Sequence, residues 1–181
     1  MSRLTAERRA AGRVLARFFD RPGRLDRWLV EESAGLSPDQ RRRARAILYA
    51  ALRNQRLIGA HLDPFLAKPL QNQRIAPRAA LTLGATELLY MDAVPDRAAV
   101  DQGVELCRDL GGKGQAGFVN AVLRKLSRSE APPQLPDRED EPLRWASIAC
   151  SHPRWIVDAM ASLVGEDGAA MWCATNQTEP P

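Results

Sequence analysis

The sequence contains few cysteines and histidines, and this limits the chemistry that the chain can perform. The number of cysteines is odd and none of them form a C-x-x-C pair, which argues against a disulfide framework or a zinc site. The three are Cys107, Cys150 and Cys173. We expect them to be buried thiols. Neither His61 nor His152 has a second metal-ligating residue at a helical or turn spacing, so we predict no metal site.

Long apolar runs and alternating apolar patterns are also missing. No apolar segment approaches the roughly 18 residues needed to span a bilayer, and the first seven residues lack the apolar core of a signal peptide. We therefore expect a cytoplasmic protein with no membrane partner. Since no stretch alternates with a period of two, the pattern predicts an all-α fold without strands.

Lysine is scarce, and the arginines that replace it are concentrated in one part of the chain. Residues 1–60 contain fourteen arginines against six acidic residues, and residues 61–128 contain nine basic against seven acidic side chains. Residues 129–181 reverse the balance, with three basic and nine acidic side chains. The first 128 residues therefore form a cationic segment, which favours a polyanionic partner such as nucleic acid.

Apolar residues recurring every three to four positions predict seven helices before residue 128. The clearest start is at Ser37-Pro38, where Gln40 completes a capping box, and Gly111-Gly112 ends the sixth helix. A bend or restart is expected near residues 53–55, with a distorted turn at Pro64. The predicted helices cover residues 5–20, 25–34, 38–53, 55–66, 77–92, 95–110 and 118–126.

The composition changes after the seventh helix. Residues 129–141 are acidic and proline-rich without apolar periodicity, which is typical of a linker. Three short helices are predicted beyond it, at residues 143–150, 155–164 and 169–175, with Gly165 between the last two. Their apolar side chains are too few for an independent core, so we expect them to pack on something. The end, Gln177 to Pro181, is expected to be an interrupted connection.

Two groups of polar residues are candidates for binding phosphate. Arg9, Arg13 and Arg17 recur every four residues on the first helix, flanked by Arg8, and guanidinium groups bind phosphates through paired hydrogen bonds. We expect them to meet the cations near the last helix on one surface, although a merely solvated ridge is the alternative. Residues 41–45 are weaker candidates, because their arginines point in several directions. The second group comprises Lys113, Asn120, Arg124 and Lys125.

The stretch FVNAVLRKL at residues 118–126, preceded by the glycine loop 111–114, resembles the last helix of the NusB-type RNA-binding domain. This resemblance implies an all-α, NusB-like bundle at residues 3–128. It also implies an RNA surface near Arg9, Arg13, Lys113, Phe118, Asn120 and Arg124. Phe118 and Asn120 have structural alternatives, as a core residue and as a residue bridging helices.

The block Ser-His-Pro-Arg-Trp at residues 151–155, with Asn176 and Glu-Pro-Pro at 179–181, resembles the joining segment of Sun/Fmu-class ribosomal RNA cytosine-C5 methyltransferases. The resemblance implies that residues 142–181 begin a methyltransferase domain that is cut short. It further implies small-subunit ribosomal RNA as partner, together with the missing domain itself. The parent enzyme is expected to use S-adenosylmethionine.

We assign no catalytic residue and no cofactor site to this chain. The chemistry of that class needs a glycine-rich turn after a strand and a cysteine in a Pro-Cys pattern, and the sequence has neither. We expect the chain alone to bind RNA and catalyse nothing. Two other functions stay open. One is a free antitermination factor that binds RNA and a ribosomal protein, and the other is a helical scaffold for protein contacts.

Overall fold

The computed structural model describes residues 4–177, and within this range the regular secondary structure is all helical, with no strand, as the sequence predicts. Within the same residues, no helix combines the length and the apolar character needed to cross a membrane. Short 3₁₀ turns lie at Asp63–Phe65, Leu70–Asn72 and Lys113–Gln115. The helices are α1 (Ala6–Asp20), α2 (Leu25–Glu32), α3 (Pro38–Arg53), α4 (Gln55–Leu62), α5 (Ile75–Tyr90), α6 (Asp96–Asp109), α7 (Ala116–Leu126), α8 (Pro142–Ala149) and α9 (Arg154–Gln177).

Local signals in the sequence explain where several helices begin and end. Ser37 and Gln40 form the predicted capping box, each side chain bonded to the other residue's backbone N–H. The helix restarts at Asn54 as predicted, and Pro64 converts the end of α4 into a 3₁₀ turn. Gly111 adopts a φ of 86° just after α6, a left-handed conformation that ends the helix.

Helix α5 is the centre of the bundle and packs against α1, α3, α4, α6 and α7. Every residue from 79 to 87 is buried, so this helix has no solvent-facing side over that length. Small residues permit close packing: a Cβ added at Gly84 would lie 2.6 Å from Leu123 Cδ1. The helix begins at Ile75, two residues before the predicted start, because proline is tolerated in the first turn.

The C-terminal helices α8 and α9 pack together around a small second core. We call these two helices and the turn between them the C-terminal extension. Val157 and Cys173 are buried in that core, and Gly165, with a φ of 78°, breaks α9 where the sequence predicts a break. The expectation that the apolar residues here pack on something is met only in part. Trp155 and Leu163 are 72% and 77% exposed among the described residues.

The block Ser-His-Pro attaches the C-terminal extension to the bundle. Ser151 Oγ accepts a hydrogen bond from the backbone N–H of Arg56 at 2.8 Å, and Gln177 Nε2 donates to Asn54 Oδ1 at 3.0 Å. His152 is buried, with Nδ1 2.6 Å from the Cys150 carbonyl oxygen and Nε2 2.9 Å from Asn176 Nδ2. These contacts give the block a structural role at the start of α4. The expectations for residues 1–3 and 178–181 lie outside the described residues.

Candidate nucleic-acid interface

The arginine ridge of α1, by which we mean Arg9, Arg13 and Arg17, forms ion pairs with carboxylates of other helices. Arg9 Nε and Arg13 Nε both donate to the carboxylate of Asp109, each at 3.1 Å, and Arg13 also lies 3.8 Å from Glu32. Asp109 is the last residue of α6, so these ion pairs place the ridge beside the glycine loop that follows. The first helix therefore lies next to this loop, as we expected, and the acidic residue Asp109 is part of the same surface.

Arg17 continues the ridge toward α2. Its Nη1 lies 3.0 Å from Glu31 Oε2, and its guanidinium carbon lies 4.5 Å from the centre of the Trp28 ring. Hydrogen bonds from Arg27 and then Arg17 lower the pKa of Glu31, so this carboxylate stays ionised and holds both arginines. Arg17 is nevertheless about half exposed, and its pair is open to competition by a stronger anion.

Arg8 has a structural role in the interior of the bundle. Its Nε donates to Glu87 Oε1 at 2.7 Å, its Nη1 donates to Thr5 Oγ1 at 3.2 Å, and its side chain is only 14% exposed. Burial raises the pKa of Glu87, while the charge and hydrogen bond of Arg8 act in the opposite direction. A guanidinium held in this way is not presented to a phosphate at the surface.

The predicted residues of the loop and of α7 are mostly at the surface. Lys113 is exposed in the turn after the glycines, and Arg124 and Lys125 are exposed in the last turn of α7. Asn120 Oδ1 accepts a hydrogen bond from Arg124 Nε at 3.1 Å, so these two side chains support each other. Phe118 is half-buried and packs against the main core, which agrees with the structural alternative for it.

Acidic residues of α6 lie near members of both predicted groups. Arg9 and Arg13 pair with Asp109 on α6, whereas Asn120 lines a cleft of about 390 Å³ with Asp101 and Glu105 of that helix. Carboxylates are therefore interspersed with the predicted cations, whose convergence on one surface stays a prediction. The sequence did not indicate this, since the acidic residues lie about a hundred positions from the arginines that they bind.

A second group of cations was missed at the sequence level. Between residues 56 and 78 there are four basic side chains and a single acidic one. Within residues 4–177, no carboxylate forms an ion pair with any of the four, and Asp63 Oδ1 instead accepts from the Leu70 N–H at 2.7 Å. The local excess of charge was visible in the sequence, but only Arg74 and Arg78 are at a helical spacing, and the predicted helix began after the first of them. They are Arg56, Lys68, Arg74 and Arg78.

The cysteines do not provide a nucleophile. All three are buried and unpaired, and burial raises the pKa of each thiol, which is opposite to the activation that a nucleophilic cysteine needs. Residues 4–177 also contain no strand, so the strand-to-helix turn that would hold S-adenosylmethionine does not occur there. The described residues do not fit that cofactor.

Sequence comparisons connect the chain with two kinds of protein. It is 37% identical over 176 residues to the ribosomal RNA small subunit methyltransferase B of Xanthomonas campestris pv. campestris, covering 97% of this chain and 37% of the relative. The probable methyltransferase B of Bacillus subtilis is 33% identical over 83% of this chain. The chain thus spans about a third of the length of these relatives. The transcription antitermination protein NusB of Ralstonia nicotianae is 31% identical over 54% of this chain.

Solved structures match the bundle at the level of the fold. Thermotoga maritima NusB superposes with a TM-score of 0.63 at 23% identity, covering 72% of this chain and 96% of that one. A chain from the crystal structure of the antitermination factors NusB and NusE in complex with double-stranded RNA gives a TM-score of 0.62, also at 23% identity, and covers 68% of this chain and 94% of that one. The NusB family model matches residues 5–128, which is more than half of the sequence. The chain therefore belongs to the NusB family.

Proposed function

We propose that this chain is the RNA-binding part of a small-subunit ribosomal RNA (cytosine-C5) methyltransferase whose catalytic domain lies outside it. One observation carries the proposal: the methyltransferase B relatives match this chain beyond the bundle, through the C-terminal extension. The antitermination relatives match only about half of the chain. Helices α8 and α9 are therefore better explained as the start of a methyltransferase domain than as an addition to a free antitermination factor.

In this proposal the bundle at residues 3–128 binds the RNA, residues 129–141 are a linker, and residues 142–181 begin the catalytic half. The contacts are assigned to the exposed cations beside the glycine loop and on α7, while Arg8 stabilises the bundle. S-adenosylmethionine and the reacting cysteine belong to the part of the parent enzyme beyond this chain. Ribosomal RNA as partner also agrees with the expected cytoplasmic location. The proposed contact residues are Arg9, Arg13, Arg17, Lys113, Asn120, Arg124 and Lys125.

The ion pairs of the ridge do not prevent RNA binding. Exposed pairs of this kind contribute only about 0–1 kcal/mol each and weaken with salt, so a polyphosphate can replace Asp109 as the partner of Arg9 and Arg13. Each phosphate contact releases condensed counterions, and the affinity for single-stranded RNA then falls with a slope of about −0.7 per contact in log salt. A strong dependence on salt is the expected signature.

Filter binding of the 181-residue chain to small-subunit ribosomal RNA at 50 and 200 mM salt tests the proposal. We expect the double variant Arg9→Glu/Arg13→Glu to lower the affinity by about tenfold or more, with unchanged helicity by circular dichroism. The matched control is Arg97→Glu/Arg154→Glu, which changes the net charge equally at exposed positions outside the candidate groups. A weak signal that is independent of salt would favour the helical scaffold. An equal loss in both double variants would mean that only net charge matters and that α1 makes no particular contact.

A further inference from the structure

The bundle and the C-terminal extension enclose a polar groove of about 730 Å³, which we call the arginine groove. One wall is formed by α4 and the start of α5, and the other by residue 134 of the linker and by α8. Its volume is within the range of sites that hold small ligands or part of a polymer. The groove lies apart from the α1 ridge, and none of the predicted contact residues lines it. Its charged and amide-bearing lining residues are Arg56, Arg78, Arg144, Gln55, Gln71 and Gln134.

The charge of this groove is less neutralised than that of the ridge. Arg56 and Arg78 pair with no carboxylate among residues 4–177, and Arg144 is bonded at 3.0 Å to Glu141, the residue just before its helix. Asp63, the one carboxylate in the lining among the described residues, accepts a hydrogen bond from the backbone N–H of Leu70. Within residues 4–177, three guanidinium groups thus border a concave site whose single acidic residue already has a donor.

The guanidinium group of Arg78 is held in one orientation by stacking on an aromatic ring. Its guanidinium carbon lies 3.9 Å from the centre of the Phe19 ring, and the side chain is half-buried at the base of α5. Stacking on an aromatic ring leaves the edge of the guanidinium available for hydrogen bonds. A planar donor fixed in this way suits a phosphate group, which accepts two parallel hydrogen bonds from arginine.

We propose that the arginine groove binds the sugar-phosphate backbone of a single RNA strand, as a second contact surface of the RNA-binding function proposed above, on which it rests. Phosphates contact the arginines, and the amides of Gln55, Gln71 and Gln134 donate and accept hydrogen bonds to exposed base edges. These amides can reach base edges only in an unpaired strand, which favours single-stranded RNA over a duplex. RNA in the groove touches both walls and therefore holds the C-terminal extension against the bundle.

The test compares two double variants of the full 181-residue chain with wild type by filter binding. Arg56→Glu/Arg144→Glu alters the groove at two exposed positions and leaves the stacked Arg78 in place. Arg97→Glu/Arg154→Glu, at two exposed positions outside the groove and the candidate groups, is the charge-matched control. We expect the groove variant to bind single-stranded ribosomal RNA at least about fivefold more weakly at 50 mM salt. We also expect the salt slope to fall by about 1.4, for two lost contacts. The control keeps both values near wild type.

Two further measurements identify the ligand and its position. Hydrogen exchange with bound RNA is expected to slow at α4 and α8 together, in wild type and not in the groove variant. Inorganic phosphate, added at constant ionic strength, is expected not to displace the RNA. Displacement by millimolar phosphate would overturn the RNA assignment in favour of a site for free phosphate.

The outcomes separate this inference from the function on which it rests. If wild type binds RNA and the groove variant matches the control in affinity and slope, the groove inference is wrong and the proposed function stands. If wild type binds no RNA at all, both are wrong. Should exchange slow at α1 and the glycine loop alone, RNA binds the ridge and the groove inference fails.

Discussion

Helix α1 and the segment from residue 56 to 78 each contain four basic side chains, and the structure treats them differently. All four arginines of α1 pair with carboxylates, from Glu87, Asp109, Glu32 and Glu31. None of the four cations in the second segment pairs with a carboxylate of residues 4–177, and two of them line the arginine groove. The density of arginine in a sequence is therefore a poor measure of the positive charge that a partner meets, because distant carboxylates decide how much remains.

The largest expected effect is at Arg8, the member of the α1 set that is least accessible. Arg8→Ala removes the partner of Glu87, whose side chain is 1% exposed, and an uncompensated buried carboxylate costs about 3–5 kcal/mol. Urea denaturation measures the loss. Arg17→Ala is the control, and we expect only a small change there because its pair is exposed.

The loss in Arg8→Ala should depend on pH in a defined direction. Burial raises the pKa of Glu87, so between its unfolded and folded pKa values the folded state binds more protons and stability falls as the pH rises. Without Arg8 this window widens. We expect a smaller difference from wild type at pH 4, where the carboxyl group can be neutral, than at pH 7. Equal losses at both pH values would contradict a buried ion pair.

The second largest change in stability is expected at Gly12, where α1 packs closely against α6. A Cβ at Gly12 would clash with the side chain of Leu106, and Leu106 is fully buried, so either this side chain or its helix must shift. We expect Gly12→Ala to cost about 1–3 kcal/mol, which is typical of overpacking, as measured by thermal or urea unfolding. An unchanged stability would show that α1 packs less closely on α6 than described.

Neutralising Asp109 should leave Arg9 and Arg13 less paired with carboxylates, as the arginines of the groove are. Asp109→Asn releases Arg9 and Arg13 from pairs worth roughly 0.2–1 kcal/mol each, so RNA no longer has to displace a carboxylate. We expect the RNA affinity to rise about two- to tenfold at 50 mM salt in filter binding. Asp158→Asn, which frees Arg154 on α9, is the control with the same change of charge. An equal rise in both variants would mean that only net charge matters.

The smallest expected effect is an increase in stability rather than a loss. Gly59 lies in α4 on the wall of the arginine groove, and an added Cβ would have no neighbour within 4 Å. Gly59→Ala therefore gains helix propensity without a clash and should stabilise the protein by about 0.5–1 kcal/mol. Urea denaturation beside Gly12→Ala checks the contrast. A destabilised variant would indicate that the groove is narrower than the structure shows.

Most of the fold was predictable because its signals are local. The capping box at Ser37, the break at Gly165 and the end of α6 at Gly111 depend on residues within a few positions of each other. The candidate site was less predictable. The sequence indicated which residues of α1 and α7 are polar and share a face, but the partners of those residues come from other helices.

The amino-acid sequence by itself determined the helical class and the approximate helix boundaries, since periodicity, caps and glycine positions act within one or two turns. The family was indicated by the resemblance of residues 118–126 to a known domain, and the family model then showed it. Only the tertiary structure decided which arginines are neutralised and which are available. Arg8 and Glu87 are 79 residues apart, and Arg9 and Asp109 are 100 apart, so no local pattern relates them. Charges act through space at distances of a few ångströms, and the packing of α1 against α5 and α6 sets those distances.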